Sequence, residues 1–189
     1  IKFDATYAKG NTKAVVSTSG GSPSFAMFGD TGRLGAYQSI GFGQTSDAVF
    51  LPGFLTGGAT GDIKLTEAWG VRGAFNHNWD PFWSTSFWGS YAGVRYNGDA
   101  FDILSAKGQF CASFNFGKTR SADYSCNPDF NIAQVGIFTR WTPVKNLTFS
   151  GEVGAFFLDQ KFTGAVGPGG AAVAAPKPVA VYEFKDQST

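Results

Sequence analysis

The feature that most constrains the fold is a strict alternation of apolar residues with small or polar ones, in segments of about ten residues. In 68–79, one set of alternate positions is apolar and has a tryptophan at each end. The intervening positions carry small, polar and basic residues, including Arg72 and Asn76. A period of two is typical of a β-strand with two different faces, whereas an amphipathic helix repeats every 3.6 residues. The chain is therefore predicted to consist of two-faced strands.

The same test predicts further strands and no helix of any length. The expected strands lie near 1–8, 12–18, 24–30, 34–49, 67–79, 83–97, 130–141, 147–162 and 179–189. Alternation does not decide the facing of 83–97, because Arg95 shares its parity with Phe87 and Tyr91. The segment 34–49 is also ambiguous.

The connections alternate between short turns and long loops. Short turns are expected at "KGNT", "DTGR", "WDPF" and "TPVKN", and long extracellular loops near 50–66, 98–129 and 163–178. With these strands, all long loops lie at one end and the short turns at the other, with a medium-length connection at 19–23. This arrangement indicates an all-β fold, an antiparallel transmembrane β-barrel.

Such a barrel explains why tryptophans occur at strand ends. Their rings favour the two membrane interfaces, where they form aromatic girdles. Trp69 is expected on the long-loop side, and Trp79, Trp83 and Trp141 on the short-turn side. The apolar face would then contact lipid, and the polar face would line a water-filled lumen. The alternative is a soluble β-sandwich, whose strands also alternate.

Composition narrows the choice of protein class. Among 189 residues only 15% are charged and the formal net charge is +1, which gives no electrostatic case for nucleic acid binding. There is no apolar run long enough for a transmembrane helix. No signal peptide is visible at the start, and the chain is expected to be either mature or a fragment; strands that begin and stop at its ends favour a fragment.

The two cysteines, Cys111 and Cys126, are predicted to form a disulfide bond in the loop 98–129. A bridge over so short a loop would contribute roughly 3 kcal/mol and implies an oxidising compartment. The alternative is two free thiols. A metal site is not indicated, because there is no CxxC motif and His77 is distant in sequence.

Candidate functional residues line the predicted lumen. Arg72, Arg95 and Arg140 come from consecutive strands at similar expected depth, and charged pore walls set ion preference. The predicted pore-lining set is Arg72, Asn76, Arg95, Arg140 and Glu152. Alternatively, the arginines only pair with carboxylates such as Glu152. No catalytic residues are indicated, since His77 is expected on the lipid face.

Three segments resemble the outer-membrane porins of rhizobia-type alphaproteobacteria. They begin "AWGVRGAFNHNWDPFW", "CNPDFNIAQVGIFTRW" and "KPVAVYEFKDQST". The resemblance covers most of the chain. It implies a 16-stranded barrel in the outer membrane of a Gram-negative bacterium, a homotrimer without cofactor that passes small hydrophilic solutes and ions by passive diffusion.

The family is longer than this chain, so residues 1–189 resemble its carboxy-terminal part, a single partial barrel domain of about nine strands. The constriction loop of the family is expected outside the chain. An alternative function is a structural or interaction β-protein, or a partial barrel held by other subunits without its own pore.

Overall fold

The computed structural model describes residues 1–17, 24–57, 60–167 and 179–189. These residues form mainly β-structure. The strands are β1 (Lys2–Lys9), β2 (Ser24–Gly29), β3 (Gln38–Gln44), β4 (Ala48–Leu51), β5 (Asp62–Leu65), β6 (Glu67–Asn78), β7 (Trp83–Arg95), β8 (Phe130–Val144), β9 (Leu147–Gln160), β10 (Ala165–Val166), β11 (Tyr182–Phe184) and β12 (Gln187–Ser188). The helices are α1 (Gly53–Thr56), α2 (Ala106–Asn115) and a 3₁₀ turn at Thr12–Ala14.

The main element is a six-stranded antiparallel sheet with the order β1-β6-β7-β8-β9-β12. Two tight turns join its long strands at one end. The turn between β6 and β7 is closed by the Trp79 amide, which donates to the Trp83 carbonyl at 2.9 Å. The turn between β8 and β9 places Asn146 at φ 69°, a left-handed conformation that asparagine tolerates. The alternating segments thus form an antiparallel all-β fold, as expected.

Three long connections leave the opposite end of this sheet. We call residues 10–66, which connect β1 to β6, the amino-terminal excursion; the other two connections are 96–129 and 161–186. Strands β2 and β3 of the excursion join β11 and β10 in a second sheet, in which β11 runs parallel to β3. Strands β4 and β5 form a separate antiparallel pair.

The core lies between the second sheet, helix α2 and the long-loop end of the six-stranded sheet. Its aromatic centre links Phe42 to Phe114 (5.5 Å between ring centroids), Phe114 to Phe162 (5.1 Å) and Phe162 to Phe184 (4.7 Å). The six-stranded sheet contributes the buried residues Ala68, Val94, Phe130, Ile132 and Leu158. The three connections are therefore packed against one another and against one face of the sheet.

Several expectations about the elements are wrong. Residues 12–14 form a 3₁₀ turn instead of a strand, and residue 18 of the expected strand 12–18 lies outside the described residues. The expected strand 34–49 is divided between β3 and the first two residues of β4. Residues 182–184 and 187–188 form two short strands within 179–189.

The expected absence of helices is also wrong, because α2 lies within the loop 98–129. Ser105 caps it by accepting a hydrogen bond from the Gly108 amide at 3.0 Å. Phe110 and Phe114, four residues apart, bury one side of the helix in the aromatic core. The helix depends on this tertiary packing, which alternation along the chain does not reveal.

The expected distribution of loops holds for β6 to β9 and fails nearer the amino terminus. Strand β1 pairs directly with β6, with Lys9 opposite Glu67, so the "KGNT" connection lies at the long-loop end. The "DTGR" turn lies there as well, since Arg33 contacts Asp123 of the loop 98–129. Of the loop 163–178, residues 168–178 lie outside the described residues.

Candidate functional site

The pairing register divides the six-stranded sheet into two faces of opposite chemistry. On the apolar face, large side chains are exposed: Phe87 and Val135 are each 54% exposed, and Val153 is 74% exposed. The same face carries Phe3, Tyr7, Trp69, Val71, Phe75, Trp83, Tyr91, Ile137, Trp141, Phe149 and Phe157. Five strands therefore contribute to one continuous, exposed apolar surface.

Four of the five tryptophans lie at the two ends of this apolar face. At the long-loop end, the Trp69 ring lies 5.4 Å from that of Tyr91. At the short-turn end, Trp83 lies 6.1 Å from Trp141, and the indole nitrogen of Trp79 donates to Thr85 Oγ1 at 3.0 Å. His77 also lies on the apolar face, 4.4 Å from the Trp79 ring.

The opposite, polar face carries four of the five predicted pore-lining residues. Arg72 pairs with Ser90 across the sheet, and its Nε lies 3.2 Å from Asp4 Oδ1. The other three are Asn76, Arg140 and Glu152, which share this face by register. The carboxylate that Arg72 contacts is therefore that of Asp4. The alternative interpretation, in which the arginines only pair with carboxylates, had named Glu152 as an example.

Arg95 does not share the wall with Arg72, contrary to the expectation. It pairs with Glu67 and follows the parity of Phe87 and Tyr91, so it belongs to the apolar face. It lies at the last position of β7, where its guanidinium donates to the carbonyls of Val94 and Phe130, each at 2.9 Å. At a strand end beyond Trp69, the guanidinium avoids the large free-energy cost that a charge has at mid-membrane.

The arginines also lie at different depths, so the expected patch of similar depth is wrong. Arg72 is opposite Ser90, whereas Arg140 is opposite Ser84, six residues earlier in β7. This offset corresponds to about 20 Å along the strand. Arg72 lies near the middle of the sheet, and Arg140 near the short turns.

A cavity of about 720 Å³ lies where the amino-terminal excursion meets the polar face. The sheet contributes Arg72, Ser90, Gln134 and Phe156, and the excursion contributes Val15, Val16 and Phe25. The fit is close, since a Cβ added to Gly70 would lie 2.9 Å from Val15 Cγ1. Sequence reasoning missed the cavity because it treated the excursion as strands of the same wall.

The two ends of the excursion are held together at its base. The buried Thr12 donates to Asp47 Oδ1 through its amide at 2.7 Å and through its hydroxyl at 2.8 Å. The Asp47 carbonyl accepts from the amide of Thr66 at 3.0 Å. Asp47 thus connects the start of the excursion to its last residues.

Tyr96, directly after β7, connects the excursion to the end of that strand by a hydrogen bond. The Tyr96 hydroxyl donates to the Gln44 carbonyl at 2.8 Å, and the Tyr96 amide donates to Asp129 Oδ1 at 2.8 Å. Burial raises the pKa of Tyr96 to about 12, so the hydroxyl stays a donor at neutral pH. Asp129 also pairs with Lys107 at 2.7 Å, which connects α2 to the same point.

The loop 98–129 is stabilised by a covalent bond and an ion pair. Cys111 and Cys126 form a disulfide with a Cα–Cα distance of 5.8 Å, which confirms the predicted bridge. Arg33 contacts both carboxylate oxygens of Asp123, at 2.6 and 2.8 Å. Hydrogen bonding from this guanidinium holds the pKa of the Asp123 carboxyl well below its usual value.

The described residues contain no group of three or more side chains suited to hold a metal ion. No described helix is long and apolar enough to cross a membrane.

Comparison with known families decides the assignment. The sequence model of the porin subfamily matches residues 2–189, nearly the whole chain. This chain belongs to the porin family. Porins are in general non-enzymatic channel proteins of the bacterial outer membrane. The match supports this family generally, and the likeness to alphaproteobacterial porins stays a resemblance. No curated protein and no solved structure matches the chain significantly.

Proposed function

We propose that this porin chain forms the wall of a water-filled channel in the outer membrane of a Gram-negative bacterium. Small hydrophilic solutes and ions would pass through it by passive diffusion. The observation that carries the proposal is the division of one sheet into a continuous exposed apolar face and a polar face. Soluble monomers rarely expose contiguous apolar surface on this scale, so the apolar face requires a partner, and lipid fits it.

The dimensions of the apolar face suit a membrane. Trp83 lies ten residues before Gly93, which pairs with Trp69. That separation spans roughly 33 Å along the strand, or about 25 Å of membrane thickness at a tilt of about 40°. The aromatic residues at both ends would then lie at the two headgroup levels, with Trp69 on one side and Trp79, Trp83 and Trp141 on the other.

The polar face would contact water in the channel, and the amino-terminal excursion would narrow it. The excursion covers the long-loop end of this face and leaves Arg140 and Glu152 exposed at the other end. The excursion is therefore our candidate for the constriction that the sequence analysis expected outside the chain. Arg72, beside the excursion, is the charge best placed to influence passing ions.

The proposal requires more strands than the described residues supply. Within them, β1 has a paired strand on one side only, β6. Unpaired backbone groups are too costly in lipid, so other strands must close the barrel. Sixteen strands and a homotrimer agree with the resemblance, and they remain part of the proposal.

Ion selectivity in planar bilayers tests the proposal. The protein should form channels, and Arg72→Gln should shift the reversal potential towards cations in a salt gradient, because it leaves Asp4 unbalanced beside the lumen. Arg140→Gln should shift it less, since Arg140 lies near the wider end. Arg95→Gln is the matched control and should have no such effect, because Arg95 belongs to the other face.

Low salt makes this experiment most sensitive, because the Debye length is about 10 Å at 0.1 M and about 3 Å at 1 M. Equal shifts for Arg72→Gln and Arg95→Gln would contradict the assignment of faces. Correctly folded protein that inserts without conducting would support the alternative, a wall segment held by other subunits without its own pore.

A further inference from the structure

Three aromatic side chains interrupt the polar face in successive rows of the sheet. Phe156 lies opposite Gln134, Trp88 lies opposite Gly136, and Phe138 lies opposite Glu152. Each row follows the previous one by two residues, or about 7 Å along the strand. We call Phe156, Trp88 and Phe138 the aromatic track. At its long-loop end this face carries buried core residues, and Phe156 packs against them. The rest of the face is small and polar, so Trp88 and Phe138 require an explanation that neither the core nor membrane contact provides.

Trp88 lies across the wall of the sheet, at the centre of the track. A Cβ added to Gly136 on β8 would lie 2.4 Å from Cζ2 of the indole ring, and one added to Gly154 on β9 would lie 3.3 Å from the same atom. The ring therefore extends from β7 over two neighbouring strands. Glycine at both positions allows it to lie against the backbone with its other side towards the lumen.

The polar atom of this ring is turned away from water. Trp88 Nε1 is buried and has no hydrogen-bond partner among the described residues, although the residue as a whole is partly exposed. What Trp88 presents to the lumen is therefore ring carbon. An indole that only stabilised the wall would be expected to place its N–H group where a partner or water could reach it.

Hydrogen-bonding side chains surround the track. Ser90 and Gln134 occupy the row of Phe156, and Ser86 and Glu152 occupy the row of Phe138. Ser86 in turn donates to Asn76 Oδ1 at 2.7 Å. The track reaches the cavity beside the excursion at its Phe156 end, because Phe156 is part of the cavity lining.

From these observations we propose that the aromatic track is a binding site for linear oligosaccharides. A pyranose ring has an apolar face of C–H groups that packs on an aromatic ring, and a rim of hydroxyls that needs hydrogen-bond partners. The track and the polar side chains beside it supply both kinds of contact in each row. The inference rests on the proposed function, because it places the sugar in the channel lumen.

Sugar block of the ion current tests the site. Maltohexaose added to the reconstituted protein should reduce the current in a concentration-dependent way. Trp88→Leu should raise the half-blocking concentration roughly fivefold, because the flat ring is lost. Trp88→Phe should restore most of the affinity. Phe87→Leu is the matched control, since it removes the neighbouring ring from the lipid face. Maltohexaose should block the current through this variant at the same concentration as in the unmodified protein.

The possible outcomes separate this inference from the proposed function. Channels that conduct but show no block at about 10 mM sugar, or equal block in Trp88→Leu, would overturn the site and leave the porin assignment intact. Protein that does not conduct would contradict the proposed function. Tryptophan fluorescence of the folded protein in detergent would then decide: a sugar-dependent change that Trp88→Leu abolishes supports the site, and no change overturns it.

Discussion

At the scale of single residues, Arg72 and Arg95 show what strand parity can and cannot predict. Arg72 interrupts a segment that alternates cleanly, and its facing follows from the sequence. Arg95 has the parity of the apolar face, and an inward position was expected because a charge in lipid is costly. The structure removes the conflict by placing Arg95 at a strand end, where Asn131 Oδ1 also accepts from it at 2.5 Å. Parity gives the face on which a residue lies but not its depth along the strand. For Arg95, the depth decides whether the apolar face can carry a charge.

Neighbouring positions on β8 provide a test of the two faces. Val135→Arg should impair membrane assembly, because it places a charge on the lipid face at a cost of about 2–4 kcal/mol near mid-membrane. Gln134→Arg introduces the same side chain one residue earlier, on the polar face, and should be tolerated. The measurement is the yield of folded protein in lipid bilayers. Equal yields of the two variants would show that the facing is wrong.

Lys118 should make the loop 98–129 sensitive to pH. Its Nζ is buried without a hydrogen-bond partner among the described residues and lies 3.6 Å from the centroid of the Phe114 ring. The ring favours the charged form, but burial dominates and lowers the pKa of Lys118 from 10.5 to about 8. The unfolded chain then holds more protons between these two values. The folded loop is therefore most stable above a pH of about 10.5, where Lys118 is neutral in both the folded and the unfolded chain. This stability is lost as the pH falls through about 8 and the buried Lys118 becomes charged.

Lys118→Met should accordingly protect α2 at pH 7 and remove this pH dependence. The gain should be below about 1 kcal/mol, because solvent screens a partly exposed side chain. Amide hydrogen exchange of Ala106–Asn115, corrected for intrinsic exchange rates, measures it at pH 7 and pH 9.5. If protection in the unmodified protein does not rise between these pH values, burial of Lys118 has no such effect.

At the scale of elements, the sequence predicted best what depends on local pattern. Strands β6, β8 and β9 were located by clean alternation, because each has one apolar and one small or polar face. Strand β7 was located as well, although Arg95 left its facing open. The excursion and α2 were missed, because their conformation depends on contacts between distant segments. Thr12 is held by Asp47, 35 residues away, and Phe114 packs on Phe42. The cavity could not be predicted either, because it lies between segments that the sequence pattern treats as one wall.

Asp47 should control how firmly the excursion is held against the channel wall. Asp47→Ala removes the acceptor of two hydrogen bonds from Thr12 and leaves a buried amide and hydroxyl unsatisfied, at a cost of about 1–3 kcal/mol each. The excursion should then fluctuate more, and single-channel recordings should show more frequent changes in current. Asp62→Ala is a suitable control, because Asp62 is an exposed residue at the start of β5. Equal current noise in both variants would contradict an anchoring role for Asp47.

At the scale of the whole molecule, one sheet has two faces of opposite chemistry. The amino-terminal excursion covers the long-loop end of the polar face. The apolar face spans five strands between Trp69 at one end and Trp79, Trp83 and Trp141 at the other, while the polar face carries the charges, the cavity and the aromatic track. The packed connections close the long-loop end with the disulfide and the Arg33–Asp123 pair. The account therefore depends on one claim, that the apolar face contacts lipid and the polar face contacts water.

Spin-label accessibility along β8 in lipid bilayers tests this claim most directly. Single cysteines would carry the label at Ala133, Gln134, Val135, Ile137 and Phe138, and the native cysteines are already joined in a disulfide. Gly136 is left unlabelled, because a side chain there would meet the Trp88 ring. Collision with oxygen reports lipid, and collision with a water-soluble nickel complex reports water. We predict that oxygen collisions peak at Ala133, Val135 and Ile137 and that nickel collisions peak at Gln134 and Phe138. Equal nickel accessibility on both faces, or the loss of the period of two, would contradict it.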